Sequence, residues 1–364
     1  MINKYFRNLL FFLLDISGIN TLLMKTHRNK ALILWYHGIC DEDFNLLKDY
    51  DERHIPKSLF RKQLEYLKNH GFSFITMTEM VNALNNKKLG KSVVLTFDDG
   101  FKNVVDNAYP IMKEFGAKGC FYLVSDLMGT DNLLWTDYIE TLIRNHGEFK
   151  FLFQGKVIDY KLVSKKSYEY AMKDVKLKLF TLPEKQRLEY LKQLSIRTLN
   201  NIPQEFKIAT WEQINSLDPN IMEIGSHTRR HPNCNNLFTE DELNDEIYNS
   251  KINIENNIKR KVDHFCFPAG SYNGRVISAV QKCGYLSSVT IENGFVQENS
   301  DVFKLKRIEA TGQFLHFKAN ISGSVDFLRK IKRVYMRSLC KIRSLFRVKI
   351  RRNVRVILHA SYPG

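Results

Sequence analysis

The stretch Ser92–Gly100 reads Ser-Val-Val-Leu-Thr-Phe-Asp-Asp-Gly. Within it, Val93–Phe97 is an apolar, β-branched run of the kind found in strands buried on both faces of a parallel sheet. The run ends in two carboxylates, and enzymes built on parallel strands collect their chemistry at the C-terminal ends of those strands. Neighbouring side chains of an extended segment point in different directions, so Asp98 and Asp99 can perform different tasks at one site. The alternative is an acidic pair that caps the next helix.

The segments around this stretch alternate between predicted strands and helices. Ala31–Tyr36 and Gly119–Val124 are predicted strands, and Lys102–Phe115 is a predicted helix that ends before Gly116. Strand, helix and strand at this spacing form a βαβ unit, which implies a parallel sheet. The alternation stops between residues 131 and 207, where we predict a largely helical insertion.

A second stretch, Glu223–Pro232, carries two histidines that lie four residues apart. This spacing of His227 and His231 is typical of a pair of metal ligands. Pro232 disfavours helix at His231, so the pair is predicted in a loop after a strand. One aspartate and two histidines leave coordination positions for water and substrate, as in a catalytic zinc site. Two unrelated surface histidines are the alternative.

Three motifs together resemble the polysaccharide deacetylase family, the NodB-homology carbohydrate esterases. They are Thr96–Gly100, Ser226–Pro232 and Phe267–Tyr272, within a similarity that extends from about Ile33 to about Ile308. The resemblance implies a distorted (β/α) barrel. It also implies a metal-dependent hydrolase that removes N-acetyl groups from the amino sugars of a cell-surface polysaccharide or its precursor.

The resemblance assigns roles to the first two motifs. Asp99, His227 and His231 are expected to bind a divalent metal, zinc in the first instance, and Asp98 is the expected general base. A carboxylate near a cation has a lowered pKa, which suits a base that must be ionised at neutral pH. An N-acetylated glycan is the implied substrate.

The general acid is assigned to His37, in the run Tyr36-His37-Gly38-Ile39. This run is similar to a Tyr-His-x-Ile motif that a subset of the family carries at the start of the domain, in place of a Leu-x-His motif at its end. That closing motif is not found late in the predicted barrel. His316 and His359 are the alternative acids.

The third motif departs from the family pattern. The family carries an arginine two residues before the proline, where it holds the catalytic aspartate, and this chain has Cys266 there. Pro268 and Tyr272 mark the expected position of a backbone N–H that stabilises the oxyanion. The family's aspartate-tryptophan motif is not recognisable. These departures leave open a hydrolase of another C–N amide bond, or a sugar-binding pseudoenzyme that keeps the metal.

The six cysteines do not form a disulfide framework or a zinc–cysteine motif, because no two of them have Cys-x-x-Cys spacing. Several lie in apolar surroundings, as buried thiols do. Reduced thiols favour the cytosolic side of a membrane.

Positive charge is concentrated at the C terminus. The net charge is +16, and the segment from Phe327 onward has twelve Lys or Arg and no Asp or Glu. Apolar residues at helical spacing between these charges predict a basic amphipathic helix that binds an anionic membrane surface. No nucleic-acid recognition module accompanies the segment, so nucleic acid is not an expected partner.

These features predict three regions: an amphipathic N-terminal segment (1–30), a catalytic domain (31–326) and a basic tail (327–364). In the first region, Phe6–Met24 is predicted to be an interfacial helix kinked near Gly18, since its apolar run is too short to cross a bilayer. The expected location is peripheral on a bacterial membrane, with its side left open.

Overall fold

The structure is a computed structural model that describes residues 4–26, 29–42, 53–145, 147–194 and 202–330. Of these, residues 29–317 form one compact unit, and residues 4–26 with 318–330 form a second. The domain bounds predicted above stay a prediction.

The strands of the large unit run in chain order. They are β1 (Leu32–Tyr36), β2 (Gly38–Cys40), β3 (His54–Pro56), β4 (Ser73–Phe74), β5 (Ser92–Phe97), β6 (Gly119–Leu123), β7 (Glu148–Phe153), β8 (Lys156–Lys161), β9 (Met222–Ser226), β10 (His264–Cys266), β11 (Ser287–Asn293) and β12 (Leu305–Glu309). Seven of them form a closed parallel barrel in the order β1-β12-β11-β10-β9-β6-β5, which closes where β5 pairs with β1. The predicted (β/α) barrel is confirmed, and β4 adds an eighth strand beside β5.

The sequence of β5 explains its central position. All six of its residues are buried, so the strand needs apolar side chains on both faces. It pairs with β1 on one side and β6 on the other. The first residue of β6 is Gly119, where an added Cβ would lie 2.2 Å from the carbonyl oxygen of Leu95. The close approach of the two strands therefore requires glycine at this position.

The helices of both units are numbered here in chain order. They are α1 (Lys4–Ile16), α2 (Ile19–Lys25), α3 (Lys57–Asn69), α4 (Met77–Asn85), α5 (Tyr109–Phe115), α6 (Trp135–Arg144), α7 (Lys165–Phe180), α8 (Glu184–Leu194), α9 (Trp211–Asn215), α10 (Glu240–Leu243), α11 (Asn249–Ile258), α12 (Gly274–Lys282) and α13 (Phe314–Ile321). Single π-helical turns precede α5 and α11, at Val104–Ala108 and Asn244–Tyr248. Thr239 and Glu242 form the capping box that begins α10.

The insertion between β6 and β9 has a hydrophobic core of its own. It consists of α6, an antiparallel hairpin of β7 and β8, and then α7 and α8. Side chains from all of these elements share one buried cluster, which includes Ile139, Phe149, Phe151, Val175 and Leu179. The largely helical insertion is confirmed, and the hairpin within it was not predicted.

The small unit begins with the predicted N-terminal helix, which breaks into α1 and α2 at Gly18. This glycine has a φ of 73°, and the helix axes meet at 67°. The Nζ of Lys318 lies 2.8 Å from Asp15 Oδ2, and the hydroxyl of Ser324 donates to the buried Asn20. Residues 324–330 are helical, and the rest of the predicted basic helix lies outside the described residues.

None of the helices described is by itself long and apolar enough for a membrane span, and only the bent pair Arg7–Ile16 with Ile19–Lys25 reaches that length and composition.

Candidate active site

The predicted site residues leave the same end of the barrel. His37 follows β1, the two aspartates follow β5, and His227 follows β9, all of which are parallel strands of one ring. The backbone N–H of Asp98 donates to Tyr36 on the neighbouring strand, and that of His227 donates to Leu123. Strand pairing therefore fixes the start of each loop relative to the others.

The chain turns sharply directly after Asp98. Asp99 and Gly100 both have positive φ, of 76° and 88°. A Cβ at Gly100 would lie 2.7 Å from the sulfur of Met128, so only glycine fits there without a shift. The turn is the reason that the adjacent carboxylates of Asp98 and Asp99 have different partners.

Asp99 and the two histidines of the second motif form a buried cluster. The Oδ1 of Asp99 lies 3.5 Å from the Nε2 of His227 and 3.5 Å from the Nε2 of His231. Two metal bonds of the usual length for zinc, at the tetrahedral angle, separate their ligand atoms by about 3.4 Å. The three side chains therefore fit one zinc-sized cation.

The ring of His227 is oriented by its second nitrogen. Its Nδ1 lies 2.7 Å from the carbonyl oxygen of Cys266, which fixes the tautomer that leaves Nε2 without a proton. Burial lowers the pKa of His227 and of His231, so both rings favour the neutral form that binds metals.

Asp98 is held by an arginine that does not come from the third motif. Arg307, on β12, donates to both carboxylate oxygens of Asp98 at 2.8 Å. Burial raises the pKa of Asp98, but the charge and hydrogen bonds of Arg307 outweigh burial and give a pKa of about 2. The carboxylate is therefore ionised at neutral pH and has no proton to lose.

The Arg307 side chain takes the place of the arginine that the third motif lacks. Its guanidinium also donates to the carbonyl of Thr290 at 2.9 Å and lies 3.3 Å from the sulfur of Cys266. Asp98, His227 and Cys266 form a second group of possible metal ligands. Because Arg307 already occupies both oxygens of Asp98, the group around Asp99 is the better cation site.

A second arginine that the sequence did not indicate lies on the other side of Asp99. Arg53 Nη1 lies 4.0 Å from Asp99 Oδ2, and its Nη2 donates at 2.5 Å to Asp137, a fully buried residue of α6. His37 Nε2 lies 3.9 Å from the same Asp99 oxygen. Oδ1 of Asp99 therefore faces the histidine pair, whereas Oδ2 faces Arg53 and His37.

The loop that carries His231 is held by the insertion. Thr228 and His231 both have positive φ, of 68° and 55°, which non-glycine residues rarely adopt. The indole N–H of Trp135 donates to the carbonyl of His231 at 2.9 Å. Arg187, a fully buried residue of α8, donates to the carbonyl of Arg230 at 3.2 Å. These contacts fix the unusual backbone of the loop.

The remaining predicted residues have no hydrogen bond or ion pair to Asp99, His227 or His231 among those described. Pro268 begins a short turn over 268–270, and the hydroxyl of Tyr272 donates to Glu292 at 2.5 Å. Their oxyanion role stays a prediction. Of the alternative acids, His316 lies on α13, and His359 falls outside the described residues.

This chain is similar in sequence and in fold to known proteins. The sequence profile of the family described as polysaccharide deacetylase matches residues 85–287, more than half of the chain. The Bacillus subtilis protein YxkH is 22% identical over 291 residues, which cover 79% of this chain and 74% of YxkH. The poly-beta-1,6-N-acetyl-D-glucosamine N-deacetylase of Staphylococcus epidermidis is 29% identical over 118 residues, 30% of this chain and 41% of that enzyme. This chain therefore matches about two-fifths of the length of the staphylococcal relative.

Among solved structures, the Streptococcus pyogenes deacetylase PplD in complex with acetate has a similar fold. The TM-score is 0.53 at 19% identity, and the match covers 80% of this chain and 96% of that one.

Proposed function

Because this chain belongs to the polysaccharide deacetylase family, we propose that it is a metal-dependent enzyme that removes N-acetyl groups from the amino sugars of a cell-surface polysaccharide or its precursor. One observation carries the proposal. A single oxygen of Asp99 lies 3.5 Å from two imidazole nitrogens, next to a carboxylate that Arg307 keeps ionised. The name of the staphylococcal relative supports N-acetylated glucosamine polymers as the substrate class.

Asp99, His227 and His231 are the residues that would hold the metal. Their nitrogen and oxygen donors suit zinc, and three protein ligands are the usual number in catalytic zinc sites. A zinc ion bound there supplies Lewis acidity, which polarises an amide carbonyl and lowers the pKa of water toward about 7.

Asp98 acts as the general base in this proposal. Its carboxylate takes a proton from the attacking water, while Arg307 keeps it ionised and holds both of its oxygens in place. A base that is fixed in position needs no reorganisation when the proton moves.

His37 acts as the general acid. Its Nε2 lies 3.9 Å from Oδ2 of Asp99, one of the three residues that would hold the metal. A substrate bound at the metal site would therefore have its amide nitrogen near His37. Protonated His37 donates its proton to the leaving nitrogen as the C–N bond breaks. The products are acetate and the free amino sugar.

The test measures acetate release from N-acetylglucosamine oligomers by the purified full-length chain, after chelation and after addition of zinc. Asp98→Asn is assayed in parallel, and the metal content of every sample is determined by mass spectrometry. Release that requires zinc and is lost in Asp98→Asn supports the proposal. Zinc binding without release from any N-acetylated sugar favours a sugar-binding pseudoenzyme or a hydrolase of another amide. A chain that binds no metal contradicts the site.

We also propose that the enzyme binds an anionic membrane surface through its termini. In support, α1 exposes Leu9, Phe12, Leu13 and Ile16, and the tail carries twelve basic residues. Co-sedimentation of the full chain with phosphatidylserine vesicles should weaken in high salt and in the double variant Phe12→Glu/Leu13→Glu. Equal sedimentation of this variant and the wild type would contradict a role for α1.

A further inference from the structure

A cavity of about 460 Å³ adjoins the candidate active site. Helices α6 and α7 of the insertion form one side of it, and His231 and Ala269, from the loops after β9 and β10, form the other. Its volume lies within the range of small-molecule binding sites. Because His231 belongs to both the cavity and the metal cluster, a ligand in the cavity would lie beside the reacting amide.

The walls of the cavity are mainly apolar. Trp135, Met172, Leu177 and Phe180 contribute from the insertion, and Ala269 contributes from the barrel. Leu177 is 55% exposed, which places it at the opening, whereas Met172 and Trp135 are buried.

Most polar groups in the lining are already bonded to other protein groups. The buried carboxylate of Glu140 pairs with Arg144 through one oxygen and, at 2.7 Å, with Lys176 through the other. The indole N–H of Trp135 donates to the carbonyl of His231. The remaining charged side chains, Glu169 and Lys173, are exposed on α7. Among the lining residues, the Nδ1 of His231 is a buried polar atom without a hydrogen-bond partner in the described part of the chain, so the interior of the cavity offers few groups to a ligand that must form hydrogen bonds.

This lining decides between two kinds of occupant. A sugar ring would bring several hydroxyls into the cavity, and each hydroxyl buried without a partner weakens binding by about tenfold. A hydrocarbon needs no such partners and gains affinity from burial against apolar side chains. The lining therefore favours a hydrocarbon.

We propose that the cavity binds an aliphatic chain attached to the amino sugar through its glycosidic linkage, so that the preferred substrate is a lipid-linked sugar. This inference rests on the proposed N-deacetylase function. If the enzyme removes acetyl groups, the aliphatic chain is not part of the acyl group and must be attached at another position of the sugar. The exposed apolar residues of α1 are an independent apolar surface in the same chain, as suits an enzyme of lipid-linked substrates.

The experiment compares the octyl and methyl glycosides of N-acetylglucosamine, below the micellar concentration of the octyl compound. The zinc-loaded full-length chain should have a kcat/KM at least tenfold higher for the octyl glycoside. Leu177→Asp should lower the ratio of the two kcat/KM values by at least threefold. Leu152→Asp is the matched control, because Leu152 is also 55% exposed and lies on β7 of the same insertion, outside the cavity lining.

Three results would overturn the inference. Equal kcat/KM values for the two glycosides would exclude a hydrocarbon subsite. An equal fall in the ratio of the two kcat/KM values in Leu177→Asp and Leu152→Asp would place the hydrocarbon subsite outside this cavity. Faster cleavage of N-octanoylglucosamine than of N-acetylglucosamine would assign the cavity to the acyl group. No hydrolysis of any N-acetylated sugar by the zinc-loaded chain would overturn the proposed function itself, which is a different outcome from these three.

Discussion

The barrel contributes side-chain atoms to the candidate active site, whereas the insertion contributes contacts that hold those atoms in place. Asp98, Asp99 and His227 follow barrel strands directly, and Asp99 Oδ1 lies 3.5 Å from His227 Nε2. Trp135 and Arg187 of the insertion instead donate to main-chain carbonyls of the loop that carries His231. We therefore expect that removing a side chain of the barrel abolishes a chemical step. Removing a contact from the insertion should instead leave the chemistry possible but hold the metal ligand less firmly in position.

The largest effect is expected for Asp98→Asn, which removes the proposed base and keeps the shape of the side chain. General-base catalysis contributes about 10²- to 10⁴-fold to rate, so kcat for acetate release should fall by at least 100-fold. Zinc content should not change, since Asp98 is bonded to Arg307 and the metal group is built on Asp99. Asp99→Asn is the paired variant and should lose zinc. The reverse result, with metal lost only from Asp98→Asn, would exchange the roles of the two aspartates.

The next effect is expected for Arg307→Gln. Without the guanidinium, burial raises the pKa of Asp98 from its value of about 2, so the base becomes protonated at a higher pH. The acid limb of the pH profile of kcat should therefore move to higher pH, because Asp98 works only in its ionised form. Activity at neutral pH should fall by about 10- to 100-fold, since the carboxylate also loses its orientation.

The neighbouring residue provides the control for this variant. Lys306 lies on the same strand, is half-exposed and pairs with Glu292 at 3.4 Å. Lys306→Gln should keep the wild-type pH profile. If the pH profile were also unchanged in Arg307→Gln, the pKa of Asp98 would not depend on this arginine.

A smaller effect is expected for Trp135→Phe, which tests the insertion. The variant keeps an aromatic ring but leaves the carbonyl of His231 without its indole donor, so the loop is less well fixed. One lost buried hydrogen bond corresponds to about a tenfold weaker affinity for zinc, measured by competition with a chromogenic chelator. Tyr138→Phe is the matched control, because it removes a hydrogen bond from the same helix to Leu194, within the insertion. Equal affinities in both variants would mean that the indole does not position the metal ligand.

The sequence predicted the parts of the site that depend on local patterns. The apolar run of β5 before Asp98 and Asp99 has the pattern of a buried strand, and the strand end brings its acids to the site. Pro232 marked the loop that carries the histidines, and the structure places His231 outside helical geometry.

The sequence did not predict the contacts made between distant segments. Arg307 is 209 residues away from Asp98, and the third motif pointed to position 266 instead. The sequence did contain a signal for Arg307. Arg307 lies two residues after Leu305, so both side chains point to the same buried face of the strand. A buried arginine needs a charged or polar partner. For Trp135 and Arg187 there was no comparable signal, since they bind main-chain carbonyls, which any residue provides.

The hairpin of β7 and β8 was missed although its signal is local. Phe149, Phe151 and Phe153 alternate with other residues, and Gln154-Gly155 follow with positive φ at both positions, as in a two-residue hairpin turn. The insertion was predicted only as largely helical, and no strand was assigned within it.

The smallest effect is expected for Tyr160→Phe, which removes a hydrogen bond from β8 to Asp174 on α7. Asp174 keeps its ion pair with Lys178, so the free energy of unfolding should fall by only about 1 kcal/mol. Because the partners named here for both residues lie within the insertion, zinc affinity and kcat should match the wild type. Chemical denaturation and chelator competition on the same samples measure both quantities. If this variant weakened zinc binding as much as Trp135→Phe, the insertion would act on the site through its overall stability, and the specific contacts of Trp135 and Arg187 would not explain its role.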